Sequence, residues 1–318
     1  MNVLLIDADS IIPNIALMKL STYHKSIGDN VVLEKAGLPY YPNKKKTIYN
    51  SGKYDKIYCS VVFEGNKKYI KGNNIIFGGT GTNNKTLPDF IEKQECDYSL
   101  YPDNNISYGF ITRGCIRKCS FCKVPEREGY IHLVNEPESI IRHKKVKFLD
   151  NNILSYWDHK RILHKLVDMK IKCQFNQGLD IRLIDNENSL ILSKLNYLGE
   201  YIFAFDSWSY KKIIEEKLKL LQWRKPYQLK FFIYINPKMQ LNETLERIVW
   251  LKKNKCLPYI MRDITCWDNE YSDFFVDLAA YCNQPNIFKK MTFEIFLNKR
   301  HQNTDRINES TKLYNENL

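Results

Sequence analysis

The chain lacks any run approaching the ~18 apolar residues that a membrane-crossing helix requires, which excludes a helical integral membrane protein. Its opening, MNVLLIDADS, has neither a basic n-region nor a small-residue cleavage site. It reads as a buried first strand and not as a secretion signal, and a cytoplasmic protein is expected. The nine cysteines form no regular, even-numbered framework. Cys59, Cys96, Cys173, Cys256, Cys266 and Cys282 stand singly, which argues against a secreted disulfide scaffold. They read as small core residues, with a second metal site from Cys256, Cys266 and Cys282 as the alternative.

What is present is ordinary globular material. The 318 residues are 44% hydrophobic and 26% charged, enough for two domains or one large α/β barrel. Lys and Arg exceed Asp and Glu by 48 to 36, a net charge of +12. That excess suits a nucleic acid or an acidic electron-donor protein of flavodoxin or ferredoxin type. The lysines are dispersed through an Asn-, Lys- and Ile-rich chain, so charge alone selects neither partner.

Along the N-terminal part, strand-like and helical patterns alternate. The run at 2–6 (NVLLI) precedes an amphipathic stretch carrying Ile15, Leu17, Met18, Leu20 and Tyr23, with Pro13 near its first turn and Gly28 at its end. Strands follow at 31–33, 56–63 and 74–77, the last closed by Gly78-Gly79-Thr80-Gly81. These glycines read as turn residues in preference to a phosphate cradle. The pattern predicts a small, Rossmann-like parallel domain over 1–100, ending in a polar linker from Thr82 to Pro102.

From 101 to 300 the alternation repeats six times. Strands are expected at 106–112, 145–149, 171–175, 201–205, 229–235 and 259–261. Helices are expected at 136–143, 157–169, 185–195, 209–221 with Ser209 as cap, 241–254 with Leu245, Ile248, Val249 and Leu251 inward, and 272–282 as the last. Six β/α units with near-continuous apolar strands predict an α/β fold, a partial (β/α)6 barrel with its helices outside. Residues 301–318 lose periodicity and read as a polar tail.

The chemistry is concentrated in one loop. After the first of these strands come Gly114 and three cysteines, Cys115, Cys119 and Cys122, spaced C-x3-C-x2-C, with Phe121 before the last. Soft thiolates this close can converge on zinc or an iron–sulfur cluster. A closed structural site wants four ligands, and three leave a position open. His132 is the candidate fourth donor of a zinc site.

That cysteine spacing, with its aromatic neighbour and α/β context, resembles the radical S-adenosylmethionine (SAM) superfamily. The resemblance implies a [4Fe–4S] cluster on Cys115, Cys119 and Cys122, whose open iron is chelated by the amino and carboxylate groups of SAM. Reductive cleavage of SAM to methionine and a 5′-deoxyadenosyl radical follows from it, with Phe121 against the adenine. In a parallel barrel the active groups gather where the strands end. There the sequence places Asp150-Asn151-Asn152, then Asn176 through Gln177, Asp180 and Arg182, then Asp206-Ser207, Asn236 and Arg262-Asp263. Within the resemblance, Asp150, Asn151 and Asn152 stand where the family binds the SAM amino group. Gln177, Asp180 and Arg182 stand where it reaches ribose and carboxylate. Asp206 and Arg262 face the substrate.

The N-terminal part is similar to the cobalamin-binding-like domain that precedes many radical SAM barrels. It has no D-x-H-x-x-G stretch to replace the lower axial base, and His24 is the only histidine in its first 131 residues. A degenerate domain used for packing or substrate placement is therefore favoured over one that holds cobalamin. Three functions compete: hydrogen abstraction from a nucleoside, nucleotide or peptide; methyl or methylthio transfer; and a non-catalytic zinc module for nucleic acid. Nothing in the sequence names the substrate.

Overall fold

Val3, Leu4, Leu5 and Ile6 are all enclosed, and the strand that they form, β1 (Asn2–Asp7), lies inside a parallel sheet. The structure is a computed structural model describing residues 1–36, 47–49, 51–82 and 87–318, so part of the expected linker, 83–86, lies outside the described residues. Two compact units emerge: Met1–Gly109 with Glu138–His143, and Phe110–Pro137 with Lys144–Leu318.

In the first unit, β1 is followed by α1 (Ile15–Ser26), β2 (Asn30–Lys35), β3 (Thr47–Tyr49), β4 (Lys56–Ser60), β5 (Ile70–Gly72), β6 (Ile75–Gly78), α2 (Asp89–Glu92) and β7 (Ser107–Gly109). Four strands pair in the order β2-β1-β4-β6, all parallel, with Val3 opposite Val31, Leu4 opposite Ile57 and Cys59 opposite Phe77. Alternation along β1 sends Val3 and Leu5 toward Leu17 and Leu20 of α1, and Leu4 and Ile6 toward Ile57, Cys59 and Val61. Asn14 caps α1 by accepting from the Leu17 N–H. The β3–β5 pair was not expected; three-residue strands leave too little periodicity to read. Gly79, at φ +97°, is a turn residue: a Cβ there would stand 2.3 Å from the Val61 carbonyl oxygen.

The second unit contains β8 (Thr112–Arg113), α3 (Val124–Glu128), β9 (His132–Leu133), α4 (Pro137–Ile140), whose later residues join the first unit, and β10 (Lys145–Phe148). Then come α5 (His159–Asp168), β11 (Lys172–Phe175), α6 (Asn186–Lys194), β12 (Tyr201–Ala204), α7 (Lys211–Leu220), β13 (Leu229–Ile235), α8 (Leu241–Lys253) and β14 (Leu257–Arg262). Strands β10 and β11 pair in parallel, as do β12, β13 and β14. An isolated parallel bridge, Cys173 to Tyr197, reaches from β11 to the chain entering β12. The fold is α/β with parallel sheets, and parallel register brings the carboxyl ends within each sheet to a common edge.

Several expectations need correction. The strand expected at 106–112 is broken into β7 and β8, and only Pro137–Ile140 of the helix expected at 136–143 is helical. Ser207, not Ser209, caps the turn that leads into α7. Val249 is 41% exposed, while Arg247 on the same helix is fully enclosed. The chain also continues past α9 (Ser272–Cys282) through α10 (Pro285–Lys290), α11 (Phe293–Arg300) and α12 (Thr304–Glu316). Its last segment is thus a helix in place of a tail. The anchor is ionic and so invisible to apolar periodicity. Asp277, completely buried, accepts from Arg300 Nε at 3.0 Å, His301 Nε2 at 2.9 Å and Arg306 Nε at 2.9 Å.

Candidate active site

The cysteine loop is held at both ends by groups that its sequence demands. Gly114 sits at φ +83°, and a Cβ there would lie 2.5 Å from the Tyr130 carbonyl oxygen, so only glycine fits. Its N–H donates to Glu128 Oε2 at 3.1 Å, and that oxygen also accepts from Asn151 Nδ2 at 2.7 Å. The Cys115 N–H donates to the Gly129 carbonyl at 3.2 Å. Glu128, at the end of α3, thereby closes the loop onto the segment that leaves β10.

Asp150 works from beneath. It is wholly buried and accepts from the Ile111 N–H at 3.2 Å, from Thr112 Oγ1 at 2.7 Å and from the Thr112 N–H. Burial pushes its carboxyl up to about 6 despite those three donors. Its oxygens thus serve the backbone that enters the cysteine loop.

Asn152, only 3% exposed, stands beside the first cysteine. Its amide nitrogen lies 3.6 Å from Cys115 Sγ and 3.5 Å from Asp180 Oδ2. A carboxylate only accepts, which orients the amide with nitrogen toward Asp180. The other end, Oδ1, is buried with no hydrogen-bond partner. A buried acceptor left unpaired costs about 1–3 kcal/mol, so this atom marks a place for a donor from outside the chain.

Asp180 is a junction. Arg117, inside the cysteine loop, donates from Nε to Asp180 Oδ2 at 2.7 Å, and Arg182 donates from Nε to Oδ1 at 2.7 Å. Burial alone would raise this carboxyl, yet the hydrogen bonds from Arg182 and Arg117 outweigh it and hold the pKa below its ordinary value. Arg182 stacks over the Tyr210 ring, 4.7 Å from its centroid. No hydrogen bond among the described residues uses its Nη1.

On the other side of the loop, Phe121 stacks on Tyr234 with centroids 4.2 Å apart and planes 10° apart. Tyr234 donates its hydroxyl to Asp263 at 2.8 Å, and its N–H donates to Asp206 Oδ1 at 3.0 Å. Burial raises the pKa of Asp206. Burial, followed by the Asp206 carboxylate, also pushes the Cys119 thiol up. Behind this edge the enclosed Arg247 donates to the Phe205 carbonyl at 2.6 Å and to Thr244 Oγ1 at 2.9 Å, fixing the residue before Asp206. Burial lowers its pKa to about 10.

The structure thus links the cysteine loop to Asn151, Asn152, Asp180, Arg182 and Asp206 through direct contacts or through Arg117 and Tyr234. Gln177 is exposed and outside these contacts. Arg262 lies over the Trp267 ring at 4.0 Å. His132 is exposed, with Nδ1 2.9 Å from the Tyr130 carbonyl oxygen. Among the described residues, no three His, Cys, Asp or Glu side chains are already gathered as a metal site. All three loop thiols are free and partly exposed, whereas Cys256, Cys266 and Cys282 are buried with thiols that burial pushes up.

Arg117, Glu128, Tyr234 and Arg247 were not singled out from sequence. Alternation along β13 does carry a signal for Tyr234, placing it on the half-buried face opposite Phe231, Ile233 and Ile235. No protein-family model matches this chain, and no curated protein matches it.

Proposed function

We propose that this chain is a radical SAM enzyme, with its second unit a partial (β/α)6 barrel and its first a Rossmann-like companion. The observation that carries the reading is the unpartnered, buried Oδ1 of Asn152, 3% exposed, on a side chain whose amide touches Cys115 Sγ. Three free thiols on one anchored loop fit a cluster that keeps one iron open. A ligand that chelates that iron would bring an amino group with N–H donors, and a carbonyl oxygen without a donor is its natural acceptor.

In this reading Cys115, Cys119 and Cys122 hold a [4Fe–4S] cluster. When bound, the cluster and SAM together supply a 5′-deoxyadenosyl radical on delivery of one electron by a flavodoxin- or ferredoxin-type donor. The remaining work belongs to the chain. Asn152 Oδ1 accepts from the amino group of SAM, and Arg182, fixed by Asp180, turns Nη1 to a carboxylate. Phe121, braced by Tyr234, supplies an aromatic face for adenine. Asp206 and Arg262 orient a substrate whose C–H bond is the target and whose identity is left open.

Anaerobic reconstitution with iron and sulfide tests the proposal. The expected product is a brown protein with about four irons per chain that, with dithionite and SAM, releases 5′-deoxyadenosine. Cys119→Ala abolishes that release while leaving the far-UV circular dichroism unchanged. A protein isolated anaerobically with one zinc and no iron or sulfide would overturn it.

A further inference from the structure

An open parallel sheet places its ligand outside the carboxyl ends of its strands, where the strand order reverses. In the first unit this point lies between β1 and β4, beside the N-terminus of α1. A helix start of this kind commonly receives the phosphate of a bound nucleotide.

Here the chain's own side chains are already in that position. Tyr101, 5% exposed, accepts the Asn14 N–H at the cap of α1 at 3.2 Å. The same hydroxyl donates to Asp7 Oδ2, at the end of β1, at 2.9 Å. Asn14 Nδ2 reaches Ser10 Oγ at 2.9 Å and Ser60 Oγ, at the end of β4, at 2.8 Å. Asp9 accepts from the Val62 N–H at 2.7 Å, the Phe63 N–H at 3.0 Å and Asn66 Nδ2 at 2.8 Å. Lys35, the last residue of β2, lies 4.8 Å from the centre of the Tyr101 ring. The carboxyl ends of three neighbouring strands are therefore occupied from within.

Charge points the same way. Asp7 and Asp9, 2% and 6% exposed, line the place where an incoming phosphate would sit, and like charges repel. The imidazole that an axial cobalt ligand would need is also committed. His24 is fully enclosed, with Nδ1 2.7 Å from Asp29 and Nε2 3.2 Å from the Tyr58 hydroxyl. These residues do not fit cobalamin.

We infer that the first unit has converted its ligand crevice into a structural joint, in which the phenol of Tyr101 stands at the helix start in place of a cofactor. The unit takes neither cobalamin nor a nucleotide there.

Because the test needs no iron, its outcome is separable from that of the radical SAM reading. The full chain is dialysed to equilibrium against hydroxocobalamin and, separately, against ATP; no binding is expected, and one equivalent of either ligand would overturn the inference. In parallel, Tyr101→Ala is melted with and without 4-methylphenol, a free copy of the missing ring. The variant is expected to melt several degrees below the wild type and to be raised by the phenol, which leaves the wild type unmoved. If Tyr101→Ala melts with the wild type, or the phenol shifts both proteins equally, the ring is not the plug.

Discussion

Arg117 Nε lies 2.7 Å from Asp180 Oδ2, an ion pair joining the middle of the cysteine loop to the chain that leaves β11. Asp180 is 6% exposed at its side chain and Arg117 33%, so water screens the pair from one side only. The contact fixes where Cys115 stands relative to Asn152.

Arg117→Gln is therefore expected to act on metal loading more than on folding. Arg182 continues to neutralise Asp180, so the stability loss is at most about 1 kcal/mol. Iron and sulfide bound after reconstitution should fall clearly below the wild type. Equal loading would show that the loop finds its place without this tie.

Asn152→Ala removes the unpartnered acceptor while leaving all three cysteines. Leaving the amino N–H without its acceptor costs about 1–3 kcal/mol, so SAM affinity measured by calorimetry on the reconstituted protein should drop roughly 5- to 100-fold. Iron content should stay at the wild-type level. Undiminished affinity removes Asn152 from the binding site.

Asp150 makes stability depend on pH in a direction opposite to that of a salt-bridged carboxylate. Its folded-state pKa of about 6 lies above the ordinary 3.8, so folding favours the protonated form. The stabilisation is complete below about pH 4 and is lost as the pH rises through 6. At about 1.4 kcal/mol per unit, the wild type should gain roughly 2 kcal/mol on Asp150→Asn between pH 7 and pH 4. Urea unfolding of both proteins across that range reads the difference directly, and a constant gap would refute the assignment.

Arg247→Met exchanges a buried guanidinium for an apolar chain of similar length. The Phe205 carbonyl then loses its donor, which costs about 1–3 kcal/mol, although relief from burying a charge returns part of it. A net loss of ~1–2 kcal/mol in urea unfolding is expected, together with a wider spread of Asp206 environments visible by NMR. A variant as stable and as ordered as the wild type would make Arg247 a dispensable filler.

Much of this is legible in the sequence itself. Runs rich in apolar residues located β1, β10, β11, β12 and β13: β1, β11 and β12 are enclosed over most of their length, whereas β10 and β13 bury one face and leave the other half-buried. The cysteine spacing and the polar residues at the strand ends located the loop, Asn152 and Asp180. What escaped was set by contacts between residues distant in sequence. Glu128 reads as a solvated charge until Gly114 and Asn151 fold against it, and Arg247 looks like a surface arginine until Phe205 offers it a carbonyl. The helix at 304–316 escaped likewise, since Asp277 holds it by charge, which leaves no mark in apolar periodicity.

The Glu128 latch has a consequence for the proposed cluster. Zinc fingers and kindred modules collapse without their ion, because nothing else orders the ligands. Here Gly114, Asn151 and Gly129 tie down the ends of the cysteine loop through the chain's own hydrogen bonds. On the proposed reading, the chain without its cluster is therefore expected to stay folded, its receptor already shaped by its own hydrogen bonds.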